Sequence, residues 1–345
     1  MGRVVMVTGV CRDVGGRFAR RLAAHPDVDA VVGVDLVAPR RDLGAVRFVR
    51  ADIRNPVISK VIAREAVDTV VHLGVIATPR GAGGRTVMKE INVIGTMQLL
   101  AACQRAAGVE RLVVKSSAAV YGASPRDPAM FTEEMDPRRM PPSGFGKDSV
   151  EVEGYVRGFA RRRPDVAVTI LRCANLLGPR IDTSLTRYLS LQLVPTVLGF
   201  DPRLQFCHEE DALAAIEQAT VTGVHGTFNI AGDGVLLLSQ AVRRLGRPSL
   251  PVTARGLEVL AQAFPQLRAV DLRPEHLALL TYGRGLDTSA MRERLRFHPR
   301  FSTAAALADF GAAHRTSRAA GEQVARLGSP AAVAATDDTA AARHG

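Results

Sequence analysis

The sequence predicts an α/β protein built on a doubly wound parallel sheet, and three observations support this prediction. Strand-like and helix-like segments alternate through the first 175 residues. The strand segments are continuous runs of Val, Ile and Leu, as expected for strands that are buried on both faces. A glycine-rich turn, with Gly9 and Gly15, links the first strand to the first helix. Such alternation is typical of parallel strands joined by right-handed helical crossovers.

Each element of the first half follows from its local pattern. Short apolar runs predict strands, and apolar residues at helical spacing predict helices. The predicted strands are 3–7, 30–34, 46–49, 69–73, 111–116 and 167–172. The predicted helices are 15–24, 56–65, 87–107 and 145–162. We therefore assign residues 1–175 to one α/β domain.

The second half is less regular and richer in Pro and Gly. The predicted helices are 184–193, 211–219, 239–245 and 257–264, and a strand is predicted at 226–230. We expect residues 176–315 to form a smaller α/β lobe with segments that return to the first domain. Residues 316–345 are rich in Ala, Arg and Thr, and from Gly328 onward they lack periodicity, so we expect a flexible tail.

Composition excludes several classes of protein. The chain has 345 residues, of which 47% are hydrophobic, and this is ample for a packed core. Apolar runs are shorter than the roughly 20 residues that a membrane span needs, and we see no signal peptide before the first strand. The four cysteines have neither metal-ligand nor disulfide spacing, which favours a reducing compartment. We therefore expect a cytoplasmic protein without a membrane partner.

The basic charge does not indicate nucleic-acid binding. The formal net charge is +11, and only four of the 45 Lys and Arg residues are Lys. The Arg residues are spread along the whole chain, whereas a nucleic-acid surface needs clustered cations interleaved with aromatic residues. We interpret the excess as a generic basic surface and expect no nucleic-acid partner.

The termini of the predicted parallel strands carry the residues of a dinucleotide site. Backbone N–H groups of a glycine-rich turn can bind a pyrophosphate at a helix N-terminus. Asp35, at the end of the second strand, can accept both hydroxyls of an adenosine ribose, which favours NAD over NADP. Asp52, after the third strand, can accept the adenine amino group. The candidate cofactor residues at these places are Gly9, Cys11, Arg12, Asp13, Val14, Asp35, Asp52, Ile53, Leu73, Gly74 and Val75.

Seven motifs follow one another along the chain: Thr8-Gly9 with Gly15, Asp35, Asp52-Ile53-Arg54, 91–96, 116–122, 171–180 and 208–211. In order and spacing they resemble those of the extended short-chain dehydrogenase/reductases, the NAD-dependent epimerase/dehydratase family, and especially its UDP-glucose 4-epimerase-like members. The resemblance runs from about residue 3 to 310. It implies a Rossmann domain over 1–175, an NAD cofactor with Asn92 among its site residues, and a nucleotide-sugar-like ligand. Because family members often pair through two long helices, it also implies a homodimer.

One departure from the family concerns the cofactor. The family pattern is Thr-Gly-x-x-Gly-x-x-Gly, and Arg12 stands at its middle Gly. An Arg there either crowds a backbone that should lie against phosphate or extends to pair with one. In related classical reductases, an Arg nearby helps to accept the 2′-phosphate of NADP. Asp35 argues the other way because its carboxylate repels that phosphate, so we favour NAD.

A second departure concerns catalysis. The resemblance implies a hydroxyl residue, matched by Ser117, and a Tyr four residues before a Lys. Phe145 stands at the Tyr position and has no proton to donate. Ser149 stands at the Lys position and carries no charge. Acid–base help of this kind is worth about 10²- to 10⁴-fold, and we expect little ordinary epimerase activity. Lys115, which strand alternation places on the side of Ser117, is a speculative substitute.

A misaligned motif is the alternative to this interpretation. Tyr155 is the tyrosine of this predicted helix, but Phe159 stands where its Lys would be. The resemblance also speaks against sugar dehydration, because Ala118 and Ala119 occupy the positions of the Asp-Glu pair of the 4,6-dehydratases.

The substrate side also departs from the family. Asn175 matches an Asn that contacts the nucleotide diphosphate. Leu204 stands where family members have an Arg, so Arg180 or the adjacent Arg203 would have to pair with phosphate instead. The run 208–211, His-Glu-Glu-Asp, cannot converge on one ion from a helix start, so we interpret it as a cap and expect no metal.

Two functions remain open at this point. The first is an NAD-dependent enzyme of the nucleotide-sugar epimerase type that uses Ser117 and an unconventional proton shuttle. The second is a non-catalytic NAD(H)-binding sensor or scaffold protein on the same fold.

Overall fold

A computed structural model describes residues 2–77, 83–137, 140–141, 144–263, 267, 270 and 272–327. Strands β1 to β13 are Arg3–Thr8, Val28–Asp35, Arg47–Arg50, Thr69–His72, Arg111–Ser117, Ala167–Cys173, Asn175–Leu177, Val194–Val197, Arg203–Leu204, Phe206–His208, Gly226–Ile230, Leu236–Leu237 and Ser249–Val252. Helices α1 to α12 are Asp13–Leu22, Val57–Arg64, Arg85–Lys89, Thr96–Arg105, Gly144–Arg162, Ser184–Leu189, Glu209–Thr222, Leu238–Arg244, Ala254–Ala263, Pro274–Tyr282, Ser289–Glu293 and Thr303–Leu327.

Seven of these strands form the central sheet, in the order β11-β6-β5-β4-β1-β2-β3. Every neighbouring pair in it is parallel. The predicted doubly wound parallel sheet is therefore confirmed. The chain moves outward in one direction from β1 to β3 and in the other from β4 to β6. Ligands of such sheets bind outside the carboxyl ends of the strands at this switch in direction.

Helices cover both faces of the sheet, which explains why its strands are continuously apolar. On one face, α1 and α7 bury residues such as Phe18 and Ile216 against the strands. On the other face, α2, α4 and α5 bury residues such as Ile62, Leu99 and Phe159. Burial on both sides removes the alternation of apolar and polar residues that a half-exposed strand shows.

A third apolar cluster lies in the second half of the chain. It joins Leu177, Tyr188 and Phe206 with Leu238 of α8 and Phe310 of α12. Three two-stranded sheets accompany it, formed by β7 with β10, β9 with β12 and β8 with β13. Strand β11 belongs instead to the central sheet, where it pairs with β6.

Two elements differ from their sequence patterns. The helix predicted over 87–107 is divided into α3, a π-helical segment at Glu90–Gly95, and α4. Residues 316–327, expected to be part of a flexible tail, belong to α12, because their Ala-rich composition has high helix propensity. Residues 328–345 of that tail lie outside the described residues. In the described part of the chain, no helix is long and apolar enough to cross a membrane.

Candidate active site

The turn between β1 and α1 touches the end of β4. Gly9 has a φ of +80°, which favours glycine, and a Cβ there would lie 2.8 Å from the Cα of Gly74. A Cβ on Gly15 would overlap the carbonyl oxygen of Gly9. Close backbone packing therefore requires glycine at both positions of the predicted motif. Val10, Cys11, Arg12 and Asp13 line a groove at the start of α1, which we call the cradle.

Asp35 reaches this cradle from the end of β2. Its carboxylate accepts hydrogen bonds from the backbone N–H groups of Cys11, at 3.0 Å, and Leu36, at 2.8 Å. The structure thus brings Gly9, Cys11 and Asp35 together, as the cofactor prediction requires.

Arg12 immediately precedes α1. Its backbone is extended, with φ −90° and ψ 154°, so a side chain fits without strain where the family pattern has glycine. Burial lowers the pKa of Arg12, and the charge of Asp35 opposes this effect. Asp13 pairs with Arg17 at 3.1 Å and with Arg41 at 2.9 Å. Arg12, Arg17 and Arg41 therefore surround the N-terminus of α1. Val14 packs against the core.

The other predicted cofactor residues are engaged within the protein. Arg54 binds both carboxylate oxygens of Asp52, and this hydrogen bonding lowers the pKa of Asp52. Ile53 packs at the π-helical segment, where a Cβ on Gly95 would lie 2.8 Å from its Cδ1. The carboxylate of Asp52 therefore faces a cation already present in the chain.

Asn92 fixes the loop that follows β4. Its Oδ1 accepts from Ile76 N at 2.7 Å, and its Nδ2 donates to Ile76 O at 2.9 Å. The loop residues Leu73, Gly74 and Val75 are thereby held beside the turn at Gly9. Asn92 acts here as a buried support for the cradle.

A cavity of about 360 Å³ opens beside the cradle, at the carboxyl ends of β5 and β6. We call it the cleft. The structure brings four of the predicted catalytic and substrate residues together in its lining: Lys115, Ser117, Phe145 and Asn175. The hydroxyl of Ser117 accepts from Ala119 N at 3.1 Å, so this side chain caps the 3-10 turn Ala118–Tyr121.

Ser149 is not among the residues that line the cleft. Its Oγ donates to the carbonyl oxygen of Phe145, one helical turn earlier, at 2.9 Å. Tyr155 lies further along α5 and is exposed beside α4, whereas Phe159 is fully buried. Tyr155 is therefore remote from Ser117, which argues against the misaligned motif.

The two arginines predicted for the substrate lie elsewhere. Arg180 is 3.7 Å from both Glu209 and Glu210, and Arg203 is exposed on β9. Neither residue lines the cleft, and Leu204 is buried in the cluster of the second half. Pairing with the acidic start of α7 explains why Arg180 points away.

Arg284 is a cleft residue that the sequence analysis missed. Its Nε donates to the carbonyl oxygen of Gly122 at 2.9 Å, and burial lowers its pKa to about 10. The preceding Gly283 has a φ of +73°, and a Cβ there would lie 2.5 Å from backbone atoms of Arg203. Gly283 was the available signal in the sequence. Only the fold shows that the next residue, Arg284, lines the cleft.

Glu275 of α10 closes one side of the cleft. Its carboxylate lies 3.4 Å from the backbone nitrogens of both Phe145 and Gly146, at the start of α5. Gly144 has a φ of +76°, and a Cβ there would overlap this carboxylate. The second half of the chain is thus attached directly to the helix that carries Phe145.

His208 ends β10 and caps α7. Its Nδ1 accepts from Glu210 N at 3.2 Å, while its Nε2 lies 3.0 Å from Asp309. His208 therefore caps the start of α7, whereas Glu209 and Asp211 accept hydrogen bonds from the backbones of Arg180, Arg300 and Phe301.

The sequence comparison identifies the family. The profile of the NAD dependent epimerase/dehydratase family matches residues 5–231, and the chain belongs to this family. An uncharacterized protein of Mycobacterium tuberculosis is 50% identical over 312 residues, which cover 89% of this chain and 83% of that protein. A probable UDP-arabinose 4-epimerase of Oryza sativa is 27% identical over 188 residues, covering 50% of this chain and 45% of the relative.

Solved structures share the fold. A UDP-glucose 4-epimerase of Thermotoga maritima with UDP-glucose is 18% identical, with a TM-score of 0.69 over 91% of this chain and 99% of that one. A dTDP-glucose 4,6-dehydratase of Streptomyces venezuelae with NAD bound is 25% identical, with a TM-score of 0.68 over 92% of this chain and 98% of that one. The family and the fold of an extended short-chain dehydrogenase/reductase are thus both confirmed.

Proposed function

We propose that the chain binds NAD in the cradle and acts on a nucleotide sugar in the adjoining cleft. The observation that carries this proposal is the close packing of the Gly9 turn on Gly74, which places the glycine-rich turn and Asp35 at the same edge of the sheet as the cleft that contains Ser117. The amides of Asp13 and Val14, in the first turn of α1, would hold the pyrophosphate, and Asp35 would accept the ribose hydroxyls. Bound NAD supplies a hydride acceptor. The carboxylate of Asp35 favours NAD over NADP because it repels a 2′-phosphate.

Asn175 and Arg284 are suited to the nucleotide diphosphate. Both line the cleft, and a guanidinium can form two parallel hydrogen bonds to a phosphate. Burial disfavours the charged form of Arg284, so an anionic ligand would stabilise its charge. Arg284 thus takes the role that we expected of Arg180 or Arg203.

The proton chemistry must depart from that of the family, since Phe145 and Ser149 replace the Tyr and the Lys. Ser117 can orient a sugar hydroxyl, and Lys115 provides a cation in the cleft. A second candidate function is a non-catalytic NAD(H)-binding sensor or scaffold. The apolar ring of Phe145 and the inward hydrogen bond of Ser149 favour it specifically.

One experiment separates the two functions. Any dinucleotide that copurifies is identified by mass, and UDP-glucose/UDP-galactose interconversion is measured for the wild type, Ser117→Ala and the double variant Phe145→Tyr/Ser149→Lys. We expect dinucleotide binding, slow wild-type turnover that Ser117→Ala abolishes, and a gain of about 10²-fold or more in the double variant. Tyr155→Phe, on the outer side of α5, is the matched control and should leave turnover unchanged.

An inactive wild type with an active double variant would favour the sensor or scaffold. Failure of both proteins to bind a dinucleotide would refute both candidate functions.

We also propose a cytoplasmic location and a homodimer. The four free cysteines support a reducing compartment. Two exposed apolar residues, Tyr155 on α5 and Ile94 just before α4, support a dimer through these helices.

A further inference from the structure

The cleft is lined by polar side chains that have no partner in the described part of the chain. The hydroxyl of Ser184, in the first turn of α6, is buried and makes no hydrogen bond, and the residue is only 2% exposed. The side chains of Lys115 and Asn175 also make no hydrogen bond or ion pair within the described residues. Buried polar groups are normally hydrogen-bonded. The cleft is therefore arranged for a ligand that supplies the missing partners.

The alternation of β5 fixes the side of the sheet from which Lys115 enters the cleft. The hydroxyl of Ser116 donates to Glu153 of α5 at 2.6 Å, so this side chain lies on the α5 side of the sheet. Lys115 and Ser117 therefore lie on the opposite side, where Val113 packs in the cluster beneath α1 and α7. Lys115 thus enters the cleft beside Ser117, the residue that would orient a sugar hydroxyl.

The other charges of the cleft are already engaged. Glu275 is the acidic residue among the described residues that line it, and its carboxylate forms an ion pair with Arg273 at 3.3 Å. Arg284 is fixed by the carbonyl oxygen of Gly122, beyond the 3-10 turn, and is suited to the diphosphate. Lys115 is therefore a separate cation at the end of the cleft where the sugar would react.

We propose that the sugar accepted by the cleft carries a carboxylate, and that Lys115 recognises this carboxylate. The inference rests on the proposed function, because it names the sugar of that nucleotide-sugar ligand. In a hexuronic acid the carboxylate is attached to C5, next to C4. A C4 hydroxyl held by Ser117 therefore brings the carboxylate next to the stretch of β5 that carries Lys115. One ammonium matches the single charge of a carboxylate, whereas a phosphate ester carries nearly two charges.

A neutral hexose would leave the ammonium of Lys115 without an anion. Such a sugar displaces water from the ammonium, and the paired carboxylate of Glu275 does not replace it. A hydrogen bond between charged groups corresponds to at least about tenfold in affinity. Ser184 is uncharged and would bind a hydroxyl that neutral and acidic sugars share. Lys115 is thus the residue that distinguishes between the two kinds of sugar.

The test compares the affinities of UDP-glucuronic acid, UDP-glucose and UDP for the full-length protein saturated with NAD. The two sugars differ only in a carboxylate or a hydroxymethyl group on C5, and calorimetric titration is done at one ionic strength. We expect the wild type to bind UDP-glucuronic acid at least about tenfold more tightly than UDP-glucose. Lys115→Met should abolish this preference and leave the affinity for UDP-glucose within about twofold, whereas Lys115→Arg should retain the preference. Lys147→Met, at an exposed residue of α5, removes the same charge and is the matched control.

Ser184→Ala gives an independent readout of the same site. Because its hydroxyl is unpaired in the free protein, its loss should not lower the urea midpoint of unfolding. Both sugars should bind about two- to tenfold more weakly to this variant. A lower midpoint with unchanged affinities would refute a contact between Ser184 and the sugar.

The outcomes separate this inference from the proposed function. Equal affinities of the wild type for the two sugars, or a preference that persists in Lys115→Met, would overturn the inference and leave the proposed function intact. Failure of UDP and of both sugars to bind would overturn the proposed function and the inference with it. Circular dichroism spectra matching the wild type establish that the variants are folded.

Discussion

At the scale of single residues, His72 shows how burial decides chemistry. Its imidazole lies between the hydroxyls of Thr8, at 2.7 Å, and Thr96, at 2.9 Å, and is fully buried at the end of β4. Burial lowers its pKa from 6.5 to about 4, so the ring is neutral in the folded protein at neutral pH. It is a packed, hydrogen-bonded residue that joins β1, β4 and α4.

This lowered pKa predicts a pH dependence of stability. The unfolded chain binds a proton at His72 below about pH 6.5, and the folded chain does so only below about pH 4. The free energy of unfolding is therefore highest above pH 6.5 and decreases as the pH falls from 6.5 to 4. The shift corresponds to a loss of about 3 kcal/mol. Urea unfolding at pH 7 and pH 4 should show a smaller decrease in the free energy of unfolding for His72→Gln than for the wild type. His25→Gln, in the loop between α1 and β2, should show the same decrease as the wild type. Equal decreases in all three proteins would contradict the prediction.

The sequence predicts the local residues of the site better than the distant ones. Gly9, Asp35 and Ser117 were found because a parallel sheet puts the ends of its strands at one edge, and strand ends are visible in an apolar pattern. Arg284 enters the cleft from more than 160 positions beyond Gly122, whose carbonyl it binds. This position has no local signal for its partner.

At the scale of elements, periodicity predicts the sheet and the long helices but not the closure of the cleft. Helix α10 was not predicted, because its apolar residues show little segregation to one face: Leu279 and Leu280 are buried at adjacent positions. Its role depends on Glu275, whose carboxylate lies at the N-terminus of α5. A negative charge there is stabilised by the helix dipole and by unpaired N–H groups.

This contact predicts that Glu275 holds the first turn of α5 in place. Glu275→Gln removes the charge at nearly constant volume, and a helix-terminal charge is worth about 0.3–1 kcal/mol. We therefore expect hydrogen exchange of the amides of 145–148 to become about two- to fivefold faster. Glu151→Gln is the matched control, since Glu151 lies on the same helix but contacts Lys89 at 3.6 Å on its outer side. Equal exchange in the two variants would refute a specific role of Glu275.

At the scale of the whole molecule, one surface of the α/β domain combines exposed apolar residues with the cations Arg105 and Arg162. The outer faces of α4 and α5 border a cavity of about 240 Å³. Tyr155 is 41% exposed there, and Ile94, in the π-helical segment that precedes α4, is 42% exposed. Exposed apolar patches of this kind are typical of association surfaces. A two-fold axis through α4 and α5 would bury both copies of the patch in a four-helix arrangement.

The homodimer through this surface is a prediction about assembly. Tyr155→Lys adds a third cation beside Arg105 and Arg162, where burying it unpaired would cost several kcal/mol, and this cost is enough to dissociate a typical dimer at micromolar concentration. Sedimentation velocity should give a dimer for the wild type and a monomer for Tyr155→Lys. Leu198→Lys, at a residue of 60% exposure after β8, is the matched control and should remain dimeric. A monomeric wild type, or dissociation by both substitutions, would contradict an interface formed by α4 and α5.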